Sequence, residues 1–177
     1  LDVFVVHFPS RSGGAKASEP YRLAAAQRLK DTTDSLLQIR TRPQIIIMGD
    51  FNDYPDNKSI QKILKAGIPP TETDSLDSRI LYHLLARIGI DNKHFGSYKY
   101  QGEWELLDHI ILSGNLLMPG SSLYTAEEKA GVFRAPFLLT EDRKYGDEQP
   151  FRTYYGMKYQ GGYSDHLPVW ADFRLLY

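Results

Sequence analysis

The chain has 177 residues, 42% hydrophobic and 24% charged, with a formal net charge of −1 and no cysteine. That length suits one domain burying about two thirds of the surface its unfolded form exposes, and the composition excludes a disordered chain. The charge supplies no strong basic field for holding polyanions, and the lack of cysteine excludes disulfides and thiolate metal sites. No apolar run approaches the roughly eighteen residues a membrane helix needs.

The first residues, "LDVFVVHF", read as a strand with Val3, Val5 and His7 on one face and Phe4, Val6 and Phe8 on the other. No initiator methionine or loose leader precedes them, so the chain is expected to continue a longer protein, as the C-terminal portion of its domain. "PSRSGGAKASEP" is a loop by its Pro, Ser and Gly content. Pro20 then opens a helix over "YRLAAAQRLKDTTDSLLQIR", closed by Arg42 and Pro43. The continuous apolar run "QIIIMG" predicts a strand buried on both faces, and strand, helix, strand predicts a parallel crossover unit. "DNKSIQKILKAG" predicts a short helix with Ile60, Ile63 and Leu64 on one stripe and Gly67 beyond its end. A further helix is expected over Leu76 to Ile88, and a hairpin around Gly102 in "SYKYQGEWELLDHIILS". Residues 114 to 162 are irregular, with strand signals near Leu123, Val132 and Thr153. The last strand alternates Leu167, Val169, Ala171 and Phe173. No repeat or linker divides the chain, so residues 1–177 are read as a single domain.

Four places can carry chemistry. In "GDFND", residues i and i+2 of an extended segment project together, which puts Asp50 beside Asn52 and turns Phe51 to the core. A carboxylate beside an amide can orient and deprotonate a water, although an ordinary turn accounts for the same residues equally well. In "LLDHIIL", Asp108 shares a face with Trp104, Leu106, Ile110 and Leu112, where a carboxylate is costly unless paired. Asp165 and His166 stand at the mouth of the last strand, where Asp suits a hard cation or orients a neighbouring histidine. His7 shares a face with valines. His83, His94 and His109 are assigned to helix surface, loop and strand packing, and Arg22, Arg40 and Arg42 to solvated surface near a conceivable phosphate path.

Taken in order, "GDFN" after an aliphatic strand, "LDHIIL" and "SDHLPV" resemble the endonuclease/exonuclease/phosphatase superfamily, which includes pancreatic deoxyribonuclease-like phosphoesterases. The resemblance implies an α/β (α+β) fold, a mixed β-sheet flanked by helices that forms the second half of a four-layer α-β-β-α sandwich. It implies Mg2+- or Mn2+-dependent hydrolysis of phosphate esters by water attack at phosphorus. Asp50 would handle the water, Asn52 would position it, and His166, held by Asp108, would contact the phosphate. His7 would be a second phosphate-facing group, and Asp165 would support the ion. The family's metal-binding glutamate has no counterpart in this chain, so weak activity from the chain alone is expected, together with an uncovered inner sheet face open to self-association. A non-catalytic binding or scaffolding relative is the alternative. Nucleic acid, phospholipid and sugar phosphate all stay open as substrates, with the tyrosines at 154, 155, 159 and 163 leaning toward small or lipid-like esters. The compartment stays open too, secreted and periplasmic included.

Overall fold

Alternation along the first strand places the site. A computed structural model describes residues 1–176. In β1 (Asp2–His7), Phe4 and Val6 pack inward while Val3, Val5 and His7 face the other way. A 25-residue helix, α1 (Ala15–Ile39), covers the inward side and returns the chain to β2 (Ile45–Asp50), which pairs with β1 in parallel as the crossover pattern predicts. Then come β3 (Leu81–His83), the short helix α2 (Ala86–Asp91), the hairpin of β4 (Tyr98–Tyr100) and β5 (Glu103–Glu105), and β6 (Asp108–Ser113). Shorter strands follow: β7 (Leu123–Tyr124), β8 (Ala130–Val132), β9 (Leu139–Glu141), β10 (Glu148–Pro150), β11 (Tyr154–Tyr155), β12 (Lys158–Tyr159), β13 (Val169–Ala171) and β14 (Arg174–Leu175).

The central sheet has the order β1-β2-β6-β3 and is mixed, because β6 runs antiparallel to both β2 and β3. The remaining strands form two-stranded ribbons, β8 with β13 and β7 with β14 among them. Ile45, Ile47 and Ile111 meet Ala26, Leu29 and Leu37 of α1 in one core. Ile110, Leu112, Leu84 and Leu116 form a second core on the opposite face, against Val169, Ala171 and Phe173. That second cover does not reach β1, where Val3 and Val5 remain 49% and 75% exposed. Gly49 is required where β1 and β2 meet: its φ is +133°, and a Cβ there would lie 2.0 Å from the Val6 carbonyl oxygen.

Four local expectations change. The stretch from Leu76 to Ile88 is not one helix, because Leu81–His83 pairs with β6 and the sheet overrides helix propensity. α1 begins at Ala15, so Pro20 lies inside it rather than opening it. The helical turn over Ser59–Leu64 is of the π type, and Lys65, not Gly67, takes the left-handed conformation at its end. Arg22 is 1% exposed, not solvated surface: its Nε lies 2.7 Å from Asp53 Oδ1, and its Nη atoms donate to Ser18 Oγ and the Ala15 carbonyl. Asp53, read above only as part of the "GDFND" turn, is thereby the buried anchor of that turn.

Candidate active site

Register alone assembles the first part of the site. His7 is paired with Asp50 across β1 and β2, and Asp50 with Asp108 across β2 and β6. These three therefore form one row on one sheet face, continuing the rows Val5–Met48–Ile110 and Val3–Ile46–Leu112. Aliphatic rows ending in two carboxylates directly opposite one another are unfavourable unless positive charge joins them. The row sits at the C-terminal ends of β1 and β2, where an open cleft of about 920 Å³ begins.

The Asp50–Asn52 pair is built by the turn that follows β2. Phe51 is fully buried, its ring 4.8 Å from Phe8 and 5.1 Å from His109, as the alternation predicts. Asn52 takes φ +50°, a conformation asparagine tolerates better than most residues. Its backbone N–H donates to Asp50 Oδ1 (2.8 Å), and its amide donates to Asp50 Oδ2 (2.9 Å) and the Phe8 carbonyl (3.0 Å). Asn52 thus fixes the carboxylate, while its own Oδ1 remains for a ligand. His7 Nε2 stands 3.5 Å from Asp50 Oδ2 on a largely exposed side chain.

The second half of the site arrives from the far end of the sequence. His166 Nδ1 lies 2.6 Å from Asp108 Oδ2, which also accepts a hydrogen bond from Ser97 Oγ at 2.5 Å. The strap holding His166 is stitched to the start of β4: Leu167 N–H donates to the Ser97 carbonyl, and the His166 ring lies 4.7 Å from that of Tyr98. With Nδ1 engaged by Asp108, Nε2 is the nitrogen left for the cleft. Burial alone would lower the His166 pKa, but the hydrogen bond to Asp108 and the charges of Asp108, Asp50 and Asp165 outweigh it and raise it. Burial raises the Asp50 pKa, with the Asp108 charge adding to it against the opposing Asn52 hydrogen bond. A carboxylate made more basic and an imidazole made easier to protonate are suited to taking a proton and to stabilising an anion.

One oxygen or nitrogen each from Asp50, Asp108 and His166 lies within 4.8 Å of the others, and the two carboxylates of this group suit a hard divalent cation. Asp165 lines the same cleft but is exposed and stands outside that group. Sequence reasoning missed Arg11, the one permanent cation among the residues lining the cleft. Arg11 stacks on Tyr54 (4.5 Å to the centroid) and lies 3.4 Å from Glu105, which accepts from the Tyr54 hydroxyl. Its signal was its place in the loop right after the His7 strand. Ser97 and Tyr98 gave no comparable signal.

Under the site, on the other sheet face, lies a closed polar chain. Leu85 N–H donates to His83 Nδ1, so the His83 proton is on Nε2, which donates to His109 Nδ1 at 2.7 Å. His109 Nε2–H then donates to the Asp53 carbonyl at 2.8 Å. His83 is therefore a buried strand residue, not helix surface. Burial holds both rings neutral, with the His109 pKa down at about 4 and that of His83 well below its usual value.

The fold is of the phosphoesterase-like kind. The chain belongs to the Endonuclease/Exonuclease/phosphatase family, whose model matches residues 1–174. Among solved structures, it is similar to the human Nocturnin catalytic domain with bound sulfate (19% identity, TM-score 0.49), covering 97% of this chain and 46% of that one. It is also similar to a mannosyl-6-phosphatase of Bacteroides thetaiotaomicron (16% identity, TM-score 0.49), covering 98% and 51% of the two chains. A third is the beta toxin of Staphylococcus aureus with bound magnesium ions (19% identity, TM-score 0.47), covering 94% and 51%. The chain thus spans about half the length of these structures. No curated protein matches it.

Proposed function

We propose that the protein is a metal-dependent phosphoesterase in which water attacks phosphorus in line with the leaving oxygen. The observation that carries this reading is the 2.6 Å Asp108–His166 dyad opposite the Asp50–Asn52 pair in one cleft. Asp50, made more basic by burial, takes the proton of the attacking water, and Asn52 holds that carboxylate in place. His166, whose protonated form Asp108 favours, donates from Nε2 to a non-bridging phosphate oxygen as charge builds there. His7 and Arg11 approach the phosphate from the β1 side. The ester P–O bond breaks as the water oxygen bonds to phosphorus, and the leaving oxygen is protonated from solvent. A bound Mg2+ or Mn2+ would supply Lewis-acid neutralisation of the phosphate, and Asp50 and Asp108 would hold it, with Asp165 in support.

The test is turnover of p-nitrophenyl phosphate and bis(p-nitrophenyl) phosphate with and without divalent ions. Turnover is expected to require the ion and to be lost in His166→Ala. Equal turnover by that variant would reject the assignment.

A further inference from the structure

A second cavity, of about 750 Å³, adjoins the cleft and shares Tyr98 and Tyr100 with it as a common wall. The two differ in charge. The cleft sets Asp50, Glu105, Asp108 and Asp165 against Arg11. The second cavity sets Lys99, Arg143, Lys144 and Arg152 against Glu141 and Asp142. Two of those cations are engaged: Lys99 is buried 3.3 Å from Asp142, and Arg143 lies 3.6 Å from Glu141. Lys144 and Arg152 have no carboxylate partner among the described residues. Each is held against a ring instead, Lys144 Nζ at 4.7 Å from the Tyr145 centroid and Arg152 Cζ at 5.4 Å from that of Tyr98. Arg152 Nη2 also donates to the Lys99 carbonyl, which sets its direction. His166 packs on the same Tyr98 ring, so a single side chain separates the imidazole from the guanidinium.

We propose that this cavity is a second anion subsite, and that the preferred substrate carries two phosphate groups. One, the scissile group, sits at His166, and the other sits between Lys144 and Arg152. The inference rests on the phosphoesterase reading of the cleft and adds a substrate class to it. On a chain of net charge −1, two cations that line one cavity without a salt-bridge partner among the described residues form a local attraction for an anion rather than part of a general basic surface. Tyr98 is covered by His166 and Arg152, but the exposed Tyr100 on the same shared wall supplies a ring face over which a sugar or base joining the two phosphates can lie. Successive phosphates of a nucleic-acid strand and a doubly phosphorylated sugar share this chemistry.

The experiment compares two substrate pairs: a hexose bisphosphate with its monophosphate, and a dinucleotide with a 5′-phosphate with the same dinucleotide lacking it. The second phosphate is expected to raise kcat/KM on the order of tenfold, through KM, as charge-assisted hydrogen bonds do. The pair that shows the gain identifies the source. In Lys144→Ala, an exposed position, and in Arg152→Gln, the ratio is expected to fall toward one. Calorimetric titration of the same ligands without divalent ions reads binding where nothing turns over, and the same preference is expected there. Absence of a preference in both pairs, or a preference that survives both substitutions, overturns the subsite. A binding preference without any turnover rejects the phosphoesterase reading and leaves the subsite standing.

Discussion

Two polar clusters occupy opposite faces of the central sheet and draw on neighbouring residues. Asp50, Asn52 and Asp108 face the cleft, whereas Asp53 and His109 face the helix side. In the lower cluster the steps converge on Asp53: Leu85 donates to His83, His83 to His109, His109 to the Asp53 carbonyl and Ser59 to the Asp53 carboxylate, with Arg22 as its ion-pair partner. The upper cluster is left open. Its carboxylates oppose each other across β2 and β6, and His166 Nε2 and Asn52 Oδ1 point at no protein partner among the described residues. Polar groups that satisfy one another hold a fold, and polar groups whose charges await a ligand mark a place to act.

Substitutions should separate the two. Asp50→Asn and His166→Ala are expected to lower kcat by about a thousandfold, the scale of losing a general base or a preorganised charge. Thermal unfolding should show Tm down by no more than about 4 °C, since each group is at the surface of the cleft. A large loss of stability with little loss of turnover would merge the two clusters into one structural network. Arg22→Met is expected to do the reverse. It strands Asp53 uncompensated in the core, costing about 3–5 kcal/mol of stability by urea denaturation. Adding Asp53→Leu should recover most of that loss, because an apolar pair of similar volume replaces a buried ion pair at little cost.

The histidine pair sets the next effect. Folded-state pKa values held below the unfolded value of 6.5 mean that the unfolded chain binds more protons in acid. The stability they contribute is therefore present above pH 6.5 and lost as pH falls toward 4. With the His109 pKa at about 4, that loss is on the order of 3 kcal/mol. Urea midpoints at pH 7, 5 and 4 should show it, and His83→Gln should flatten the slope between the first two.

The upper cluster was the more legible in sequence, and the reason is alternation. Asp50 ends β2 and Asp108 begins β6, so a period of two turns each toward the cleft face, and Asn52 follows in the turn that the same short motif spells out. The parallel β1–β2 pair follows from the strand–helix–strand order, whereas the mixed sheet was legible only through the family resemblance. The lower cluster was hidden because its members look like surface. Arg22 lies on a helix of polar composition, and only the approach of the turn after β2 buries it. His83 belongs to a three-residue strand, too short for a period to register, and its pairing with β6 is non-local. Ser97, eleven residues before Asp108 and buried, is found only once the β4–β5 hairpin folds back.

Ser97 offers the finest test of the boundary between the clusters, since it is fully buried yet touches the active row. Its hydroxyl donates to the same Asp108 oxygen that holds His166, so it drains part of the charge His166 relies on. Ser97→Ala removes that donor and should cost about 1 kcal/mol of stability, with less than a tenfold change in kcat. The Asp108 carboxylate, with one hydrogen bond fewer, would bind the imidazolium more strongly, so His166 should titrate at a higher pH by proton NMR than in the unsubstituted protein. A folded-state pKa raised in this way keeps its stabilising effect below the unfolded value and loses it as pH rises through the folded one. The variant's stability should therefore persist further into alkali than the parent's. A downward shift of the His166 titration would show that Ser97 supports the dyad by geometry, locking the carboxylate in place, rather than by tuning its charge.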